Sequence, residues 1–331
     1  MQGVILFLFT LFCSAIVLFF DGVFAHGIFK QFESRHYAPV AGQVTQSEVK
    51  FYRESKGGRG YKALINYRYQ VGGQTFNGAR LRYTSEPSGL VFANGMVAAH
   101  PNGATVDVFY NPNNPGDALL MPGIKGSDFM MVLFLTPFHA IMFGFWVWLG
   151  DWLRERIFRP LAGGVKIISD GTVTRVRLPR FVAAGSGLAT TGALGFVSVF
   201  ALGLSTNMQP SLGLVFAVIA AIYLAGAGVY LWARRKISLG VDDLIINTAR
   251  RTLDLPQTHG RKRRVTADVA DIESLTVEKI AHTSSKGGVS YTYAPTVRLR
   301  GTEAGDQKLA DWSDQVKAAD FTDWLRKQLG L

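Results

Sequence analysis

Apolar positions in this chain appear in three patterns: uninterrupted runs, a period of two, and a period near 3.6. The uninterrupted runs dominate. A bilayer core takes about 20 helical residues, because each rises about 1.5 Å and every backbone amide must be satisfied inside the segment. Val4–Phe20, Phe129–Gly150, Phe181–Leu204 and Ser211–Trp232 meet that requirement without a Lys, Arg, Asp or Glu. They predict transmembrane helices over residues 1–25, 129–153, 181–205 and 211–233. Trp146, Trp148 and Trp152 close the second run, as indoles do where N–H groups meet lipid headgroups. Only residues 205–210 separate the third and fourth runs, which therefore form a helical hairpin.

Between the first two runs the period is two. Tyr61, Ala63, Ile65, Tyr67, Tyr69 and Val71 share one face of a half-buried strand, and Lys62, Asn66, Arg68 and Gln70 share the other. Gly72 and Gly73 suit a two-residue hairpin turn. "QTFNGARLRYT" then returns with Leu81 and Tyr83 alternating against Arg80 and Arg82. "GQVTQSEVKFYR" and "ATVDVFY" predict two more strands, and "SGLVFANGMVAAHP" a short helix started by Ser88 and stopped by Pro101. Residues 30–125 thus form a β-rich module.

Beyond the second run, "DWLRERIF" extends the helix as far as Pro160, and "GVKIISDGTVTRVRL" reads as a hairpin turning at Asp170–Gly171. An isolated hairpin is marginal, so this connector, 154–180, is expected to pack on the C-terminal domain or on the membrane surface. That domain, 237–331, contains "VDDLIIN", "RTLDLP", "IESLTVEKI", "APTVRLRG" and, after a Gly-rich turn at 301–306, "QKLADW". The period of 3.6 belongs to its tail, a helix capped by Ser313 or Asp314 with Ala318, Phe321, Trp324, Leu325 and Leu329 on one face.

A formal net charge of +11 and a pI near 9.8 would suit nucleic acid, but the placement of the charges changes the picture. Arg154, Arg156, Arg159, Lys166, Arg175, Arg177 and Arg180 fill the second-to-third connection, and Arg234, Arg235 and Lys236 follow the fourth run. Cytoplasmic loops carry the excess of Lys and Arg. Both segments and the N-terminus are therefore expected on the cytoplasmic side of a bacterial inner membrane, and residues from about 21 to 128 on the extracytoplasmic side. Val23 and Ala25 also fit the small residues before a signal-peptidase cut. The missing Lys or Arg and an apolar run beyond about 7–15 residues favour a retained anchor. Cys13, the only cysteine, lies inside this run after Phe12, which is too large for a lipoprotein processing site, so neither a disulfide nor a lipid anchor is expected.

The Asn-Pro-Gly cluster at 111–117 could be a cation loop or a turn. An EF-hand places oxygen ligands at alternate positions and a glutamate at the end. Counted from Asn111, Pro115 falls on a ligand position and no glutamate follows, so the cluster is read as a turn. The strand "YRYQVGGQTFNG" and the ending "HPNGATVDVFYNPNNPGDALL" resemble the bacterial family known as domain of unknown function 3592. Gly103, Val106, Val108, Tyr110, Pro112 and Pro115 occupy its G-X-X-V-X-V-X-Y-X-P-X-X-P positions. The resemblance covers about residues 40–120. It implies a small β-rich fold associated with membrane helices and brings no activity. Residues 237–331 are similar in pattern to a pleckstrin-homology-like (PH-like) barrel with its C-terminal helix, without a diagnostic motif. The predicted fold class is an integral membrane α-helical protein with four transmembrane helices, a small extracytoplasmic β-rich domain and a cytoplasmic β-barrel-plus-C-terminal-helix domain.

His139 lies near the middle of the second run, two residues after Pro137. An ionisable group at that depth is a functional-site candidate, for instance in a proton relay. No second ionisable residue lies inside the four apolar runs, so a histidine satisfied locally by a carbonyl that the proline frees is the simpler expectation. Small residues recur at Gly185, Ala189, Gly192 and Ala193, and at Gly213, Ala217, Ala221 and Ala225. They suit close helix approach within the hairpin, with homodimerisation as the alternative. Arg261, Lys262, Arg263 and Arg264 read as a solvated inter-strand loop, with anionic lipid headgroups as the alternative contact. Without a stacking platform or recognition helix, nucleic acid is not an expected partner.

Signs of catalysis are missing. His26, His36, His100, His259 and His282 show no paired metal spacing, and zinc-protease, paired-cysteine, nucleophile-elbow and phosphate-loop motifs are absent. Asp242–Asp243 and Asp268 with Asp271 are carboxylate pairs in sequence only. No cofactor or metal is expected. The predicted role is a non-enzymatic scaffold or envelope-associated interaction protein, with the lipid bilayer and a protein or second copy as partners. An accessory of transport or transmembrane signalling that uses His139 is the second reading.

Overall fold

The computed structural model describes residues 2–53, 59–84, 90–158, 164–178, 183–283, 288–301 and 305–331. In chain order its elements are α1 (Gln2–Glu33), β1 (Ala38–Arg53), β2 (Arg59–Val71), β3 (Gln74–Gly78), α2 (Leu90–Ala99), β4 (Thr105–Asn111), β5 (Asn114–Leu119) and α3 (Met130–Phe158). There follow β6 (Lys166–Asp170), β7 (Val173–Arg177), α4 (Ala183–Ser205), α5 (Leu212–Ser238), β8 (Leu244–Asn247), β9 (Thr252–Leu255), β10 (Val265–Asp268), β11 (Ile272–Thr283), β12 (Val289–Leu299), β13 (Asp306–Lys308) and α6 (Gln315–Leu329). Two compact units result, Met1–Met142 with Thr191–Leu224 and Phe143–Thr190 with Ala225–Leu331. The helices α1, α3, α4 and α5 are long and apolar enough to cross a membrane. Ser88, Arg159, Pro160, Arg180 and Phe181, to which the sequence assigns helix ends or charges, lie outside the described residues.

The first of these helices inverts the pattern of a soluble one. Thr10, Ser14, Val17 and Gln31 are buried along one stripe, whereas Ile5, Leu8, Phe12, Phe19 and Val23 face outward. Polar groups inside and apolar groups outside suit hydrocarbon surroundings rather than water. The Thr10 and Ser14 hydroxyls donate to the carbonyls of Leu6 and Thr10 at 2.9 and 2.8 Å, so neither is left unsatisfied. The helix also continues past residue 25, and Val23 and Ala25 lie on its unbroken length.

In the β-rich module one antiparallel sheet has the order β3-β2-β1-β4-β5. The alternation read from β2 is realised, with Ala63, Ile65, Tyr67 and Tyr69 buried. Phe92, Ala93, Met96 and Val97 of α2 pack on that face. The return strand is shorter than expected. It ends at Gly78 because the Arg80 and Leu81 carbonyls accept from Leu120 and Met121 at 3.3 and 3.0 Å, and the Tyr67 hydroxyl also donates to Arg80 at 2.9 Å. The 111–117 cluster is a tight hairpin, in which Asn111 pairs with Asn114 and the Asn113 amide donates to the Asn111 side chain at 3.0 Å. Beyond the turn runs β5, a strand hidden in the sequence by Pro115. Proline is tolerated there because β5 is an edge strand.

Below the sheet a buried polar knot joins the module to α1 and α3. Asp128, just before α3, accepts Arg82 Nη2 at 2.7 Å, the Lys125 amide at 2.7 Å and the Thr84 hydroxyl at 2.6 Å. The Arg82 and Asp128 side chains are only 4% and 1% exposed. Gln31, near the end of α1, donates to the carbonyls of Met121 and Gly123 at 2.8 and 2.7 Å and accepts the Tyr83 amide at 2.9 Å. Ser34 accepts the Gly123 amide at 3.1 Å. The pattern that set Arg82 on the polar face of a strand is thereby corrected: once the chain leaves the ladder after Gly78, alternation no longer dictates where Arg82 points.

The second unit carries an antiparallel sheet ordered β10-β9-β8-β7-β6 and a three-stranded sheet ordered β11-β12-β13. The hairpin of the basic connector is thus an edge of the C-terminal sheet, joined through Val173–Val176 of β7 to Leu244–Asn247 of β8. The edge position gives an otherwise marginal two-stranded unit its partner. β10 was not evident from the sequence, being only four residues long behind a basic run. The apolar face of α6 enters the core, where Phe321 stacks on Trp312 and Trp324 at centroid distances of 5.0 and 6.0 Å. The Asp314 carboxylate caps this helix through the Val316 amide at 2.8 Å, and Gly330, at φ +70°, ends it.

The knot makes a specific prediction. Arg82→Met leaves the Asp128 charge buried without its partner and should lower stability by about 3–5 kcal/mol, whereas adding Asp128→Leu should recover much of that loss. Chemical unfolding of the two detergent-solubilised variants measures the difference.

Candidate functional site

The polar pair inside the long helices lies where Pro137 and small residues let helices meet closely. A Cβ added to Gly192 of α4 would come within 2.9 Å of the Ala140 Cβ and 3.2 Å of the Pro137 Cα, and one at Gly195 within 2.6 Å of Thr136. Glycine is required at both positions. His139, next to this contact on α3, places Nδ1 2.9 Å from the Leu135 carbonyl and Nε2 2.9 Å from the Asp21 carboxylate of α1. Both side chains are about one-third exposed.

Two expectations are corrected here. Asp21 lies within α1, one position past the apolar run Val4–Phe20, and is a second ionisable residue at the site. The carbonyl that satisfies His139 belongs to Leu135, whereas the one freed by Pro137 is four residues before the proline, at Leu133. The chemistry follows from the acceptors. A carbonyl oxygen only accepts, so Nδ1 carries a hydrogen. The Nε2–Oδ2 contact joins the two ionisable side chains directly, so each gives the other a polar partner between two otherwise apolar helices.

The small-residue stripes are used differently from expectation. Gly187, Gly192 and Gly195 are the close-contact positions of α4, with Gly187 against Gly226 and Tyr230 of α5. Gly185 is half-buried and Ala189 and Ala193 are exposed. On α5 the packed positions are Val215 and Ile222, which cluster with Leu133 and Leu202. Gly213, Ala217 and Ala221 point away from that cluster and are exposed, with Ala225 half-buried. Four-residue spacing identifies a face but not the neighbour it meets, and the hairpin contact combines Gly187 and Gly226 with the bulkier Leu202, Val215 and Ile222.

The basic run divides. The Arg261 guanidinium donates to the carbonyls of Pro256 at 2.7 Å and Lys308 at 2.8 Å. Arg264 donates to those of Val241 at 3.0 Å and Asp243 at 2.8 Å. Arg177 donates to Ile237 at 2.8 Å and pairs with Asp243 at 3.5 Å. Cations on the carbonyls at and just past the end of α5 satisfy acceptors that a helix leaves open and suit its dipole. Arg261 and Arg264 are therefore structural, and of the four only Lys262 and Arg263 have exposed side chains.

In the module, Asp117 is held by Arg80 and accepts from Tyr37 at 3.3 Å, and the Tyr37 and Tyr83 hydroxyls meet at 2.9 Å. Burial, and then the hydrogen bond to Asp117, push the Tyr83 phenol far above its ordinary range; burial does the same to Tyr67. Among the described residues no three His, Cys, Asp or Glu side chains gather as a metal site.

Residues 40–125 match the family described as Domain of unknown function (DUF3592), about a quarter of the chain. No curated protein and no solved structure matches.

Two predictions arise here. Arg264→Ala should lower stability by about 1–3 kcal/mol by removing the charged donor to the Val241 and Asp243 carbonyls, while Lys262→Ala should stay within about 0.5 kcal/mol; thermal unfolding of the solubilised chain compares them. The tyrosines stay neutral in the fold but can ionise once unfolded, so the unfolded state releases protons first as pH rises. Stability should be level with respect to them below about pH 10 and fall above it, and Tyr83→Phe should flatten that fall in unfolding curves recorded from pH 9 upward.

Proposed function

We propose that the chain is a non-enzymatic interaction protein of the bacterial inner membrane. In this reading the β-rich module lies outside and meets a protein partner, while the C-terminal sheets and helix lie in the cytoplasm with the basic segments that flank α3 and α5. A run of antiparallel strands in chain order followed by a C-terminal helix supports a PH-like reading of the inner domain.

One observation carries the proposal. β4 pairs β1 only over Ala38–Gln43, and β3 pairs β2 only over Tyr67–Val71. Gln46–Arg53 and Arg59–Asn66 pair with each other beyond those limits, so among the described residues they form a two-stranded arm with open edges. Near its end Phe51 and Tyr52 are 51% and 41% exposed. Open strand edges invite pairing with another chain, and exposed aromatics are the residues that anchor interfaces.

The proposal is tested by crosslinking and co-purification from native membranes. The expected result is a partner whose recovery drops when Phe51 and Tyr52 are both replaced by Ser; unchanged recovery would refute the role of the arm.

A second reading, in which the protein responds to or moves protons, is favoured by the Asp21–His139 contact. If the pair only stabilises the fold, His139→Leu with Asp21→Leu should restore the abundance lost by either single variant and leave the phenotype of the wild type. Restored abundance without restored phenotype supports the proton-linked role.

A further inference from the structure

A cleft of about 560 Å³ opens between α2 and the loop that joins α4 to α5. Its lining includes Leu90, Val91 and Gly95 of α2, with Leu204, Asn207 and Met208 from the other side. We infer that this cleft holds an acyl chain of a bilayer phospholipid, drawn in at the outer edge of the hydrocarbon layer. The inference rests on the reading that α4 and α5 cross a bilayer.

Three observations choose that occupant. The first is the composition of α2, ten residues without a charge. One face of this helix is committed to the module core, and its exposed side carries Leu90 and Val91, 46% and 82% exposed, beside the single polar side chain of Asn94. Large apolar side chains left outside a core mark a surface that meets another apolar group. The second is continuity. Leu204, on the last turn of α4, is 84% exposed, and the exposed surface below it continues through Phe200, Val197 and Phe196. The cleft thus opens onto the same face that meets lipid tails. Among the described residues no charged side chain lines it, and its polar side chains are the amides of Asn207 and Gln209, which can hydrogen-bond ester carbonyls at the chain's head end.

Gly95 is the third. A Cβ added there meets nothing within 4 Å, so packing does not demand a glycine, although one in a helix interior costs about 0.5–1 kcal/mol relative to Ala. Its effect is to keep the floor of the cleft clear. The opposite wall is held in a conformation that ordinary residues avoid, with φ of 48° at Asn207 and 62° at Met208. A volume of this size lies in the range of sites that enclose a small-molecule ligand, roughly 300–1,000 Å³.

The test uses the full chain with Cys13→Ser, so that a fluorophore can be attached to one introduced cysteine. Val91→Cys, Phe200→Cys and Gln74→Cys are labelled separately and reconstituted into phosphatidylglycerol–phosphatidylethanolamine vesicles whose acyl chains carry bromine, a contact quencher. The inference expects the label at 91 to be quenched nearly as strongly as that at 200, with the label at 74 unaffected. It also expects phospholipid to survive delipidation of the unlabelled chain, detected by native mass spectrometry, and to be lost from Gly95→Trp. No quenching at 91 with full quenching at 200 overturns the inference while leaving the membrane reading intact; no quenching at 200 overturns the membrane reading itself. Disulfide-linked dimers of the Val91→Cys chain, with lipid retention unchanged in Gly95→Trp, would assign the cleft to a second copy and overturn the inference.

Discussion

A guanidinium withdrawn from water needs a counter-charge and a full set of acceptors, and the way Arg82 meets that need organises much of the first unit. Its partner, Asp128, stands at the threshold of α3, and the same carboxylate takes the Thr84 hydroxyl and the Lys125 amide. Around this pair the connector 120–125 is drawn against the end of α1 through Gln31 and Ser34. The sheet above is therefore seated on two long helices by polar bonds, in place of an apolar interface that would have no preferred orientation. Burial makes those bonds direction-specific, and it makes the loss of any one partner expensive.

Elsewhere the chain follows the same logic in different surroundings. On α1 the inward stripe carries hydroxyls, a carboxylate and an amide, and the outward surface is phenylalanine and leucine. At the end of α5, Arg177 and Arg264 bond exposed carbonyls of the last turn and the loop behind it. Between α3 and α4, glycines bring backbones close enough for dispersion to act where hydrophobic drive is absent. The first two devices satisfy polar backbone or side-chain atoms, and the third brings backbones into contact.

What the sequence revealed was periodic and local. The four apolar runs, the inward face Ala63 to Tyr69 and the apolar stripe of α6 repeat within a few residues, so the pattern is complete wherever it is read. The polar contacts have no such signature: Arg82 and Asp128 are 46 residues apart, and Asp21 and His139 are 118. Strand β5 was concealed by Pro115 and β10 by its brevity. The small-residue stripes were visible but their neighbours were not, since Gly213 and Ala217 satisfy the spacing of a packed face while Val215 and Ile222 make the contact. In the basic run, composition marked Arg261 to Arg264 as charged, and only the position of nearby carbonyls separates the two embedded arginines from their exposed neighbours.

The separation of Asp21 from His139 also has a bearing on biogenesis. A ribosome delivers α1 long before α3, and the whole β-rich module is made in the interval. Throughout that interval the Asp21 side chain lacks the imidazole that it meets at 2.9 Å in the finished fold. The bond between α1 and α3 can therefore close only after every strand that separates them in sequence has been made, which leaves their pairing among the late events of assembly.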